Sequence, residues 1–158
     1  MRILFLSDNF PPEVNAPASR TFEHCRRWAA AGHEVTVVTC APNFPRGAVF
    51  PGYRNRLWQR ETMDGVRVLR VWTYIAANEG FVRRVLDYLS YMLAAVAASP
   101  LTGPADVVIG TSPQFFTACA AWLVSCLKSA PFVFELRDLW PESIRAVGAM
   151  QEGLALRA

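Results

Sequence analysis

The chain has 158 residues, 53% of them hydrophobic and 18% charged, which excludes a disordered polymer and gives one domain's length with enough apolar material for a core. Sixteen basic against thirteen acidic side chains leave a net charge of +3, too little for a dedicated DNA-binding surface, so no nucleic-acid partner is expected. The four cysteines (Cys25, Cys40, Cys119 and Cys126) have no CxxC spacing and no histidine cluster, which points to reduced thiols in a cytoplasmic setting and to no metal site.

Taken in chain order, Arg2–Ser7 is an apolar strand; Asp8 cuts the run short, so it is not a signal peptide. A proline-stiffened loop, Asp8–Pro17, leads to a helix over about Ala18–Ala31, with Ala18, Phe22, Cys25 and Ala29 on one face and Gly32 as its stop. Glu34–Cys40 is a β-branched strand, and a Pro/Gly/Arg-rich loop runs on to about Arg56. Leu57–Thr62 and Val66–Trp72, joined through Met63-Asp64-Gly65, form a hairpin. Then follow an apolar helix at Phe81–Ala98, a strand at Asp106–Gly110, a helix at Gln114–Lys128 and a strand at Pro131–Leu136. A last helix starts near Pro141 or Glu142, with a break at Gly148.

Strands alternating with helices imply an α/β fold: a Rossmann-like, mainly parallel sheet with helices on both faces, plus a β-hairpin insertion. Ligands of such sheets bind at the carboxyl ends of the strands, in the loops Asp8–Pro17, Ala41–Arg56, Thr111–Gln114 and Arg137–Ser143. The first of these loops lacks GxGxxG, and Cys40 rather than an acid closes the second strand, which argues against a dinucleotide site. Neither a P-loop lysine motif nor GxSxG is present.

Asn15 is a plausible helix N-cap, and the helix start beside Asn15, Ala16 and Ser19 could hold a phosphate or a sugar hydroxyl. Ser112 and Gln114 offer a hydroxyl and an amide before another helix, or simply a cap. Arg137, Asp138, Trp140 and Glu142 follow a buried strand. They either pair among themselves or reach a sugar or phosphate, with Trp140 as an apolar wall.

The basic residues of 46–84 are Arg46, Arg54, Arg56, Arg60, Arg67, Arg70, Arg83 and Arg84 against three acids, which makes a basic block bearing Trp58 and Trp72. It is either a solvated face or an attraction to anionic headgroups. The helix Phe81–Ala98 carries Arg83 and Arg84 at its start and is too short in its apolar part to span a bilayer. Its two readings are a half-buried core helix and a helix lying on the inner face of the cytoplasmic membrane.

The runs FLSDNFPPEVNAPASRTFEHC, GHEVTVVTC, DGVRVLRVW, TSPQFF and FVFELRDLWPES, in this order, resemble the N-terminal half of family-4 glycosyltransferases, notably members that build capsular, colanic-acid-like or O-antigen polysaccharide. The resemblance covers nearly the whole chain and implies a GT-B enzyme of two Rossmann-like domains. Residues 1–158 would be the acceptor-side domain, and the C-terminal donor-binding domain would be absent from this chain. It further implies a retaining transfer from a nucleotide-sugar to a polyprenyl-linked or glycan acceptor, without an essential metal or other cofactor. On that basis Asp138 and Arg137 are the expected catalytic contacts. Asn15, Ala16, Ser19, Ser112, Gln114, Trp140 and Glu142 are the expected substrate contacts. The first loop departs from the family in carrying Asn15-Ala16-Pro17-Ala18 where glycines are usual. The chain alone is expected to be inactive. The competing expectation is a non-catalytic module that binds a glycan, a lipid or a partner protein.

Overall fold

The computed structural model describes residues 1–75 and 80–137. Six strands form one sheet in the order β3-β4-β2-β1-β5-β6: β1 Arg2–Leu6, β2 Glu34–Cys40, β3 Trp58–Met63, β4 Val66–Val71, β5 Val107–Thr111 and β6 Phe132–Glu135. All neighbours are parallel except β3, which returns antiparallel to β4 as the edge hairpin. Asp64 and Gly65 turn that hairpin with φ of 47° and 81°, the left-handed pair that a two-residue loop between twisted strands requires.

Helix α1 (Ala16–Ala30) lies on one face of the sheet. Helices α2 (Phe81–Ala97) and α3 (Phe115–Lys128) lie on the other. The inner strands are apolar on both faces because both are covered. Leu4, Leu6, Val38 and Leu69 meet Tyr91 and Ala95 of α2 and Ala121 of α3. Ile3, Phe5, Val37 and Val68 meet Cys25, Phe22 and Ala29 of α1, the face the helical spacing marks. Gly110 on β5 is the closest approach of sheet and helix: a Cβ there would stand 2.5 Å from the Ala121 Cβ.

Local chemistry sets the ends of these elements. Asn15 caps α1 by accepting the Ala18 N–H at 2.8 Å, so the helix starts at Ala16, two residues earlier than the sequence pattern places it. At the other end Gly32 takes φ 86°, with Gly32 N–H bonded to the Ala29 carbonyl and His33 N–H to that of Trp28, a Schellman closure. His33 therefore belongs to the helix-to-strand turn. Helix α2 stops at Ala97, and a short 3-10 helix, Ser99–Thr102, accommodates Pro100 in its first turn. The helix expected from Pro141 onward lies outside the described residues.

Candidate functional site

A cavity of about 1110 Å³ opens at the carboxyl edge of the parallel strands. Its lining comes from the residues that leave each strand: Ser7 and Asp8 after β1, Cys40 and Asn43 at and after β2, Thr73 after β4, Ser112 and Gln114 after β5, and Leu136 after β6. One wall is the first half of α2, with Arg84, Asp87, Tyr88 and Tyr91. Phe44, Phe115, Phe116 and Phe134 provide apolar and aromatic surface.

Asp8 sits at the floor. Burial pushes its carboxyl above the usual aspartate range, with a smaller opposing pull from Arg137. Its Oδ2 accepts from Gln114 Nε2 at 3.1 Å, and its backbone carbonyl accepts from Thr39 Oγ1 and Cys40 Sγ. Asp87 faces the same cavity from α2. Its Oδ1 accepts from Thr73 Oγ1 at 3.0 Å, and burial raises its pKa from 3.8 to about 6. With Glu13, which also lines the cavity, three carboxyl groups share it, and among the described residues neither Asp8 nor Asp87 is ion-paired to a cation. Both remain available to accept hydrogen bonds from hydroxyl groups.

The loops around this floor are pinned rather than free. Glu13 is buried, and its carboxylate accepts the N–H groups of Asn43 and Phe44 at 2.8 Å each and of Phe10 at 3.3 Å. It ties the first loop to the second, and burial raises its pKa despite those bonds. Arg70 is 1% exposed. Its guanidinium donates to the Cys40 carbonyl at 2.9 Å, to the Pro11 carbonyl and to Glu61, and lies over the Tyr53 ring. Arg70 therefore leaves the basic surface block in which the charge count places it. Strand alternation puts it beside Val68 on the inner face.

Of the residues expected at the site, Asn15, Ser112 and Gln114 line the cavity, whereas Ala16 and Ser19 are exposed and do not. The Asn15 amide is committed to Ala18 and to Asn9. Pro17 has no N–H, and the Ser19 N–H bonds the Asn15 carbonyl, so the α1 N-terminus offers an anion at most the Ala16 N–H. The Ser112 hydroxyl accepts the Arg137 N–H at 2.7 Å. The Arg137 side chain, 6% exposed, turns away from the cavity to Thr21 Oγ1 at 2.8 Å and to the Glu135 carboxylate at 3.3 Å. Asp138, Trp140 and Glu142 lie outside the described residues. Asp8, Asp87, Thr73 and Tyr88 were not singled out as site residues by sequence reasoning. The available signal is a single acid in a mostly apolar helix, one and four residues before two tyrosines.

Comparison with known proteins gives this cavity a family context. Residues 15–158 match the family model described as glycosyl transferase 4-like domain. A curated protein of Escherichia coli (strain K12), assigned by name to colanic acid biosynthesis as the glycosyl transferase WcaI, is 28% identical over 156 residues. That alignment takes in 97% of this chain and 38% of the relative, so the chain spans well under half of that protein's length. By its sequence over residues 15–158, the chain belongs to the glycosyl transferase 4-like family.

Proposed function

We propose that the chain is the acceptor-binding domain of a retaining GT-B glycosyltransferase, which moves a sugar from a nucleotide-sugar to a lipid-linked or glycan acceptor in cell-surface polysaccharide synthesis. The observation that carries this reading is the composition of the cavity wall. Asp8, Asp87 and Thr73 supply acceptors and a hydroxyl, while Phe44, Phe115 and Phe134 supply apolar faces. A sugar ring presents the complement: hydroxyls that donate to carboxylates and C–H faces that lie on aromatic rings.

In such a transfer an acceptor hydroxyl forms the new bond to the anomeric carbon as the nucleoside diphosphate leaves with the old bonding pair, and the hydroxyl proton is released. The contribution of this chain is to position that hydroxyl and order the ring around it. Asp87 and Asp8 accept from ring hydroxyls. Gln114 holds Asp8, and Thr73 holds Asp87. Arg137 orients the loop after β6 through Thr21 and Ser112, and Asp138, next in the chain, carries the sugar contact on this reading. The nucleotide-sugar would be held by a second domain. No metal is assigned a step.

Two measurements test it. Sugar-nucleotide turnover is expected from a longer chain carrying the donor domain and not from the 158 residues alone. In nuclear magnetic resonance titrations of the 158-residue chain with acceptor-type oligosaccharides, shifts are expected at Asp8, Asp87 and Tyr88. Efficient transfer by the short chain alone sinks the half-enzyme reading, and shifts confined to other surfaces sink the acceptor site.

A further inference from the structure

The lining of the cavity is unequal in charge. Asp8 and Glu13 enter it from the loop after β1, and Asp87 enters it from α2. Glu13 is buried, and Asp8 and Asp87 are half-buried. Among the described residues the single cation of the lining is Arg84, which is exposed and so belongs to the rim. Arg83, its neighbour in the helix, is exposed and lies outside the lining. Two further cations are engaged elsewhere: Arg70 with Pro11, Cys40 and Glu61, and Arg137 with Thr21 and Glu135.

The three carboxyl groups sense one another. Burial raises the pKa of Glu13 and of Asp87, and the negative charge of Asp8 raises both further. The Tyr88 hydroxyl is pushed up in the same way, by burial and then by Asp8, against a smaller pull from Arg84. The Tyr91 hydroxyl and the Cys40 thiol, which complete the titratable lining, are held neutral chiefly by burial. Donors on the wall are already in use: the side-chain amides of Asn15, Asn43 and Gln114 each donate within it. The cavity is thus rich in acceptors for a hydroxyl and crowded with negative charge.

We propose that the cavity selects an uncharged sugar ring and turns away a ring that carries a carboxylate, with Asp8 and Asp87 as the selecting residues. This rests on the acceptor-site reading above and narrows its substrate to neutral sugars as against uronic acids. The C6 hydroxymethyl group of a hexose donates to a carboxylate. The C6 carboxylate of a uronic acid has no proton to donate and adds one more negative charge to three. On entry it gives up hydration and meets no cation on the floor in return. The acids stand on two elements, the loop after β1 and α2, so turning the ring does not remove its carboxylate from negative charge. The two rings are close in size and shape, so contact with Phe44, Phe115 and Phe134 does not separate them; repulsion does.

The test is nuclear magnetic resonance titration of the 158-residue chain at neutral pH with matched pairs of probes: methyl glucoside against methyl glucuronide, and methyl galactoside against methyl galacturonide. The neutral member of at least one pair should shift the amides of Asp8, Asp87 and Tyr88, and its uronide should bind more weakly by about tenfold or more. Asp87→Asn keeps the shape of the wall and removes its charge, and should narrow the gap within the pair by about threefold or more. Asp64→Asn, at the hairpin turn on the opposite edge of the sheet, should leave the gap unchanged. Equal or tighter binding of the uronide at the same amides overturns the selection and leaves the acceptor site standing. A gap unchanged in Asp87→Asn, or narrowed as much by Asp64→Asn, takes the selection away from the cavity acids. If neither member of either pair shifts the cavity amides, the acceptor site itself fails, and the selection with it.

Discussion

Gln114 donates its amide to the carboxylate of Asp8 at 3.1 Å, across 106 positions of sequence. This bond joins the end of β1 to the start of α3 and fixes the acidic floor of the cavity. Gln114 occupies the residue before the α3 helix yet makes no cap bond with its side chain, which leaves that side chain for the floor. Replacing Gln114 by Ala leaves Asp8 buried without its amide donor. A loss of about 1–2 kcal/mol is expected by urea denaturation at neutral pH, with a smaller loss in acid, where the Asp8 carboxyl is protonated. An equal loss at both pH values would show that the bond to the carboxylate is not what Gln114 contributes.

Asp87 gives a pH dependence of definite sign. Its pKa in the fold is raised from 3.8 to about 6, so the folded state holds its proton more tightly than the unfolded one. The resulting stability is complete below 3.8 and is lost as the pH rises through about 6. The interval corresponds to at most about 3 kcal/mol, and solvent at the half-buried carboxyl reduces it to about 1. Asp87→Asn should therefore be more stable than the parent by about 1 kcal/mol at pH 7.5 and equal to it near pH 4. Urea midpoints at the two pH values measure this directly. A gain at the lower pH, or none at the higher, would contradict it.

Glu13→Ala leaves the N–H of buried Phe10 and those of Asn43 and Phe44, at the cavity edge, without their acceptor. A cost of about 2–4 kcal/mol follows, with faster hydrogen exchange at those two amides. Glu13→Gln keeps the one oxygen that accepts from both Asn43 and Phe44 and gives up only the Phe10 bond, so it should retain most of the stability. Unchanged exchange at Asn43 and Phe44 in the alanine variant would rule out the strut.

Gly110→Ala places a methyl group 2.5 Å from the Ala121 Cβ, so α3 must move off the sheet. The expected penalty is about 1–3 kcal/mol. Adding Ala121→Gly should return most of it, because the clash is between those two carbons. Thermal denaturation of the two single variants and the pair completes the cycle. Additive losses would place the strain elsewhere, at Ala118 or Phe132.

Much of the fold could be read from residue order because its signals are local. Asp64-Gly65 announces the hairpin, Gly32 the end of α1, and the apolar runs the buried parallel strands. Local patterns locate the loops that form the site for the same reason, so Asn15, Ser112 and Gln114 are found. The directions of side chains within those loops are another matter. Arg137 looks like a ligand contact in a row of polar residues, yet Thr21, on a different element, draws it inward. Asp87 reads as one more charge at a helix start until the phase of α2 and the position of Thr73 aim it into the cavity. A charge count treats Arg70 as surface, whereas its three hydrogen-bond partners lie near residues 11, 40 and 61.

Those three partners also impose an order of events. Pro11 and Cys40 leave the ribosome before Arg70 exists to join them, and Glu61 reaches the guanidinium only once the hairpin has closed. A nascent chain of sixty residues thus has the first two loops of the future cavity and the Glu13 tie between them, but not the guanidinium that bonds to both. The edge hairpin, which supplies Arg70 and Glu61, braces the first two loops from behind, and the walls from α2, β5, α3 and β6 follow later in the chain.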